Sequence, residues 1–227
     1  MDQMIMAAAA FVGTHFLLSH PLRAPVVGAI GDRGFMIAYS LVAFVTLGWL
    51  VDAYRAAPLT PMLWPVGDGL WAAATVVMLV ASVLMIGSLI GNPALPTGGA
   101  PASVPDEARG VFAVTRHPMM WAFALWAVAH ALVFPIEANL VLVAAVALLA
   151  LVGAALQDRK KEALQPEQWR SWEARTSYWP FAAIAGGRAR FGGFRPHDIA
   201  GGLVLWLAAT WAHLPLAGWA AGVWRWV

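Results

Sequence analysis

The feature that most constrains this chain is its alternation between long apolar runs and short breaks rich in Pro, Gly and charge. About 20 apolar residues cross the hydrocarbon core of a bilayer as one helix. Six such runs can be read: Met4 to Ser19, Gly34 to Ala53, Leu70 to Ile90, His117 to Phe134, Asn139 to Leu156, and Ile199 to Gly218. The breaks fall at His20-Pro21, at Gly31 to Gly34, at Pro58 to Gly69, at Gly91 to Pro105 and at Pro135 to Glu137, which is turn chemistry. The expected fold is all-α: a polytopic transmembrane helix bundle of about six spans, forming a single integral membrane domain over 1–227. The fourth and fifth spans should make a tight antiparallel hairpin, and Gly91 to Pro105 a flexible cytoplasmic connector.

Composition agrees, with 61% hydrophobic and 11% charged residues and a mean hydropathy of +0.70, well outside the soluble range. Cysteine is absent, which excludes disulfides, thiolate metal ligands and covalent haem attachment, so any metal must rest on histidine or carboxylate. The opening Met-Asp-Gln lacks a basic n-region and reads as the start of an uncleaved first span. The basic residues are better explained by topology than by nucleic acid. Arg23, Arg33, Arg109, Arg116, Arg159, Lys160, Lys161, Arg170, Arg175, Arg188, Arg190 and Arg195 share one side, and only Arg55 and Arg225 the other. Twelve against two puts both termini outside the cytoplasm by the positive-inside rule. A multi-pass protein of a bacterial inner membrane is expected, with the lipid bilayer as its partner and room for a hydrophobic small-molecule substrate.

Residues 157–198 form the only long polar stretch. Mixed charges interleave there with Trp169, Trp172, Tyr178, Trp179 and Phe181, as expected of an amphipathic cytoplasmic segment lying at the interface between spans five and six. Two readings stay open: an anchor to anionic lipid, or a cap whose Asp158, Arg159 and Arg175 close over a site. The thirteen tryptophans are mostly interfacial belt residues.

The six histidines divide into three pairs. His15 and His130 each sit inside an apolar run, where an imidazole needs a hydrogen-bond partner or a metal. Interhelical hydrogen bonding is the plainer reading, and shared ligation of a haem in the bundle core is the sharper one. His20 and His117 each precede a proline. Thr115 can cap the helix that Pro118 opens, whereas Arg116 and His117 suit an anionic group such as a propionate or carboxylate. His197 and His213 read as interfacial. Depth complicates the first pair: His15 lies ~6 Å from its helix end and His130 ~20 Å beyond its helix start, so His15 would meet His117 more naturally.

Three blocks, Thr14 to Arg23, Thr115 to His130 and Asp158 to Phe181, together resemble the NnrU family, which also contains the plant zeta-carotene isomerase. The resemblance covers about residues 11–184. For the isomerase branch it implies haem b held by two histidines, His15 and His130 here, in a redox-dependent cis-trans isomerisation of a polyene. That branch has a cysteine three residues before the second histidine; Ala127 stands there in this chain, so a ligand switch cannot operate. The His20-Pro21 pair places the chain nearer the bacterial branch, for which the resemblance implies a role linked to nitrogen-oxide reduction and denitrification.

Two alternatives stand beside this one. The Arg-His-Pro corner, helical hairpin and charged aromatic segment also resemble isoprenylcysteine carboxyl methyltransferases, which bind S-adenosylmethionine. Arg116 and His117 would then hold its carboxylate, with Glu162 and Trp169 closing the pocket. The other alternative is a cofactor-free regulatory or structural membrane subunit.

Overall fold

All six apolar runs are helical. The computed structural model describes residues 1–95 and 104–227, so most of the expected connector at Gly91 to Pro105 lies outside the described residues. Among the described residues there are nine α-helices, no strand and one 3-10 turn: α1 Asp2–Ser19, α2 Arg23–Ala56, α3 Asp68–Gly87, α4 Val111–Val114, α5 Pro118–Val133, α6 Glu137–Leu164, α7 Pro166–Arg175, α8 Ala182–Ala185, α9 Pro196–Ala217, and the turn Gly222–Arg225.

Four of these helices, α2, α3, α6 and α9, are long and apolar enough to cross a membrane. The apolar helix α5 is shorter, at 16 residues. The break expected at Gly31 to Gly34 is a kink within α2, where Gly31 adopts φ 73°, ψ 170°. Helix α6 does not stop at Leu156; it continues through Gln157-Asp158-Arg159-Lys160-Lys161-Glu162 to Leu164. That stretch is polar but rich in good helix formers, and nothing breaks it before Pro166. The apolar pattern ends at Leu156, and the helix outruns it by two turns.

The helices pack in the spatial order α2, α1, α6, α5, α3, α9. One core cluster joins α1, α2 and α6 through Met4, Ala7, Ala8, Val12, Leu50, Ala53 and Ala145. The other joins α3, α4, α5 and α7 through Leu84, Val111, Phe112, Ala122, Trp169 and Trp172. The α5–α6 hairpin is closed by Asn139, whose Nδ2 donates to the His130 and Phe134 carbonyls at 3.0 and 2.7 Å. These two bonds tie the start of α6 to the end of α5.

Trp169 and Trp172 are fully buried against protein, which corrects their reading as interfacial residues. Their spacing of three puts both on one face of α7, and that face seats on the end of the bundle instead of on lipid. Lys161 supports the arrangement: its Nζ donates to the Pro93 carbonyl at 2.9 Å and lies 5.9 Å from the Trp169 ring centroid.

Helices α3 and α9 touch almost backbone to backbone. A Cβ on Gly202 would stand 2.7 Å from the Val83 Cα, so only glycine admits this approach. Gly202→Val should therefore lower the thermal midpoint in detergent by an amount equivalent to about 1–3 kcal/mol. Gly48→Val, where a Cβ meets nothing within 4 Å, should leave it in place.

Candidate functional site

Pro118 disfavours helical backbone at the residue before it, and His117 adopts φ −120°, ψ 55°, so Thr115-Arg116-His117 cannot simply continue α4 into α5. Thr115 has φ −156°, ψ 150°, and His117 precedes Pro118 at the helix start. The extended corner pairs with the chain leaving α7. The Arg116 N–H donates to the Ser177 carbonyl at 2.8 Å, and the Phe181 N–H to that of Val114 at 2.8 Å. Thr115, fully buried, is not the cap that the sequence suggested. Its hydroxyl donates to the Tyr178 carbonyl at 2.7 Å and lies 3.2 Å from that of Ser177.

Arg116 and His117 converge from this corner on Asp158, which the overrun of α6 carries to the same place. His117 Nε2 meets Asp158 Oδ1 at 2.7 Å. Arg116 donates to Oδ2 from Nε at 2.9 Å and from Nη2 at 2.7 Å. The same Nη2 reaches Glu173 Oε1 at 3.0 Å. The His117 side chain is 1% exposed and turned to Asp158, and it does not line the cleft described next.

Beside this cluster opens a cleft of about 470 Å³ lined by Arg116, Ala155, Asp158, Arg159, Glu162, Glu173, Tyr178 and Trp179. Its size is that of a small-molecule site. Arg159 is exposed and has no ion-pair or hydrogen-bond partner among the described residues. Glu162 is paired with Arg170 at 2.9 Å. Burial holds the Glu173 carboxyl above its ordinary value; Arg116 opposes this, Asp158 and Glu162 add to it, and His117 opposes it. Burial, with Asp158 adding and Arg116 opposing, likewise raises the Tyr178 phenol, which donates to the Leu151 carbonyl at 2.7 Å.

Of the residues read from sequence, the structure thus brings Arg116, His117, Asp158 and Arg159 together. Arg175 is engaged elsewhere, donating to the Asp106 carbonyl and to Ser171. Trp169 is in the core, and Trp179 takes the place proposed for it at the cleft. Glu173 was missed, although its position four residues after Trp169 puts it on the flank of the buried face of α7.

His15 and His130 lie at different levels. Helices α1 and α6 run parallel and α5 runs against them, so two histidines near the C-termini of α1 and α5 fall toward opposite ends. Phe16 lies beside Gly153 of α6, whereas the His130 carbonyl is bonded to Asn139. Those fourteen residues of helix span roughly 20 Å. One iron needs its two imidazole nitrogens about 4 Å apart, at about 2.0 Å per bond, and this pair does not fit that requirement. The His15 ring packs instead against Phe11 and Tyr39, at centroid distances of 4.5 and 5.5 Å. Among the described residues no group of three or more His, Asp or Glu side chains is placed to hold a metal.

A family model described as NnrU protein matches residues 3–221. The chain belongs to the NnrU family. No curated protein and no solved structure matches it. The match includes the Arg-His-Pro corner, the polar overrun of α6 and all of α7, so the cleft lies wholly within the family region of this NnrU protein.

Proposed function

We propose that this NnrU-family membrane protein takes a dipolar, adenosine-bearing methyl donor of the S-adenosylmethionine type into the cleft between α6 and the 173–179 segment, and transfers its methyl to an acceptor carried in the membrane. One observation carries the reading. Arg116, the overrun of α6 and the 173–179 segment contribute to a single open cleft that holds both signs of charge and two aromatic side chains. Arg159, a cation at the cleft with no partner among the described residues, suits a carboxylate. Glu173 suits an ammonium. Tyr178 and Trp179, the latter 63% exposed, offer ring faces to a purine and a sulfonium.

In such a transfer the acceptor's lone pair forms the new bond to the methyl carbon while the carbon–sulfur pair returns to sulfur. The proton that the acceptor loses leaves to solvent through the open mouth of the cleft. The buried His117–Asp158–Arg116 cluster keeps the charged wall rigid. We place the chain in a bacterial inner membrane with about six crossings, the cleft on the cytoplasmic side and both termini opposite. The grouping of twelve basic residues against two supports this topology. The haem-dependent redox and isomerase readings depended on His15 and His130 sharing one iron, and no step is assigned to that pair.

The test is equilibrium titration of the detergent-purified protein with S-adenosylmethionine, followed by calorimetry and by tryptophan fluorescence. Saturable one-to-one binding is expected, weakened roughly 10–100-fold by Arg159→Ala, as for loss of one hydrogen bond to a charged group worth about 1.5–3 kcal/mol, at unchanged thermal stability. No saturable binding to folded protein would overturn the reading in favour of a cofactor-free subunit.

A pH limb follows from Glu173. A carboxylate carries its charge only above its pKa, and this one titrates above the ordinary 4.5. Donor affinity should therefore fall as pH drops through that raised value, beginning at a higher pH than for a free glutamate. In Glu173→Gln affinity should be low throughout and the limb should vanish.

A further inference from the structure

Helix α6 is recessed between its neighbours. From Ala138 to Arg159 only five of its residues are exposed: Ala144, Leu148, Val152, Ala155 and Arg159. Steps of four, four, three and four keep them on one face, in a stripe a single residue wide. Helices α1 and α5 flank α6, and Phe16 of α1 sits beside Gly153 at one edge of the stripe. Helix α2 differs, exposing adjacent residues at Met36-Ile37 and at Phe44-Val45 as a broad surface does. The stripe on α6 is therefore the floor of a narrow trench, with Leu148 50% and Val152 38% exposed. Its last two members, Ala155 and Arg159, line the charged cleft. Trench and cleft form one continuous surface, apolar at one end and charged at the other.

We infer that trench and cleft together seat a single-chain membrane amphiphile, its chain along Ala144, Leu148 and Val152 and its small nucleophilic head in the cleft beside Ala155. This rests on the reading of the cleft as a methyl-transfer site and names the class of its acceptor. From Ala144 to Ala155 is roughly 16 Å of helix, against about 30 Å for the whole hydrocarbon core, so the trench is about one leaflet deep. A cleft of about 470 Å³ is filled by one small molecule such as the donor. The acceptor's chain has to lie outside it, and a floor one residue wide takes an extended chain, not a fused-ring body. Acid–base chemistry limits the head. The carboxylates lining the cleft are all in ion pairs, Asp158 and Glu173 with Arg116 and Glu162 with Arg170. With no free base at hand, the head is a thiol, an amine or a phenol, which ionise within a few pH units of neutrality, and not an aliphatic alcohol. The lone pair of the head bonds the methyl carbon, the carbon–sulfur pair returns to the donor, and the proton goes to water.

The full chain in phospholipid nanodiscs is irradiated with two long-chain alkane thiols, one carrying a diazirine next to the head and the other at the chain end, and the labelled peptides are mapped by mass spectrometry. Saturable labelling is expected at 155–159 and 178–179 with the first probe and at 144–148 with the second. Val152→Trp, which fills the trench, should cut both at least tenfold, and Leu148→Trp repeats the test one turn away. Val45→Trp, on the broad face of α2, should change neither. Helicity by circular dichroism and a single size-exclusion peak show that each variant is folded. Labelling spread alike over the faces of α2 and α6, or indifferent to both trench substitutions, overturns the inference. Titration of the wild-type protein with S-adenosylmethionine separates the two ideas. Mapped labelling without donor binding removes methyl transfer and keeps the amphiphile site, whereas donor binding with scattered labelling does the reverse.

Discussion

Asp158→Ala should abolish ligand binding at the cleft and lower stability by about 3–5 kcal/mol, the cost of breaking a buried ion pair by removing one partner. Both carboxylate oxygens are in use: Oδ1 faces His117 at 2.7 Å, and Oδ2 accepts twice from Arg116. The side chains of Arg116 and Asp158 are each 12% exposed, and that of His117 is 1% exposed. Water can therefore do little to replace the lost acceptor. Asp158→Asn should recover part of the stability, since an amide oxygen still accepts one bond, but not the binding, because the charge that fixes Arg116 is gone. Arg159→Ala is the control, reducing binding without a change in stability. A thermal melt and a ligand titration on the four proteins separate these outcomes; an Asp158→Ala protein that melts with the wild type would sink the account of the cluster.

The membrane helices were legible because apolarity is a local property of the sequence, summed over about 20 residues. The polar overrun of α6 was not, since hydropathy falls at Gln157 while helix propensity continues to Leu164. Arg116, His117, Asp158 and Arg159 could be proposed from residue type alone. Their meeting could not, because it depends on how far α6 projects and on the pairing of residues 114–116 with 177–181. Thr115 shows the limit most clearly. Locally it looks like a helix cap, yet its hydroxyl bonds to a carbonyl 63 positions away. The direction of the helices was within reach. Helices α1 and α5 run oppositely, so histidines near the C-termini of both fall at different levels, whereas the neighbour of His130 on α9 depends on helix rotation and order, to which hydropathy is blind.

The other large loss is expected from Asp198→Ala, at about 3–5 kcal/mol, although Asp198 lies outside the proposed cleft and was not singled out by sequence. Asp198 is completely buried at the third position of α9, where its carboxylate reaches back to accept from the Arg195 backbone N–H at 3.0 Å and so satisfies a donor at the helix start. It also accepts from Arg195 Nε at 3.1 Å and lies 3.0 Å from Arg195 Nη2 and His197 Nε2. Arg195 in turn donates to the Gly87 carbonyl at 2.6 Å, the last residue of α3. One carboxylate thereby ties the start of α9 to the end of α3, and its removal leaves a guanidinium aimed at a vacancy while the first turn of α9 loses its cap. Since α9 rests on α3 through Gly202 and Val83, the loosened end should open that seam progressively from the charged end. Hydrogen exchange should show it as faster amide exchange over 196–202 than over 203–210, with α1 and α6 unaffected. Equal exchange along α9 in the variant, or a melt unchanged from wild type, would show that packing alone holds the helix.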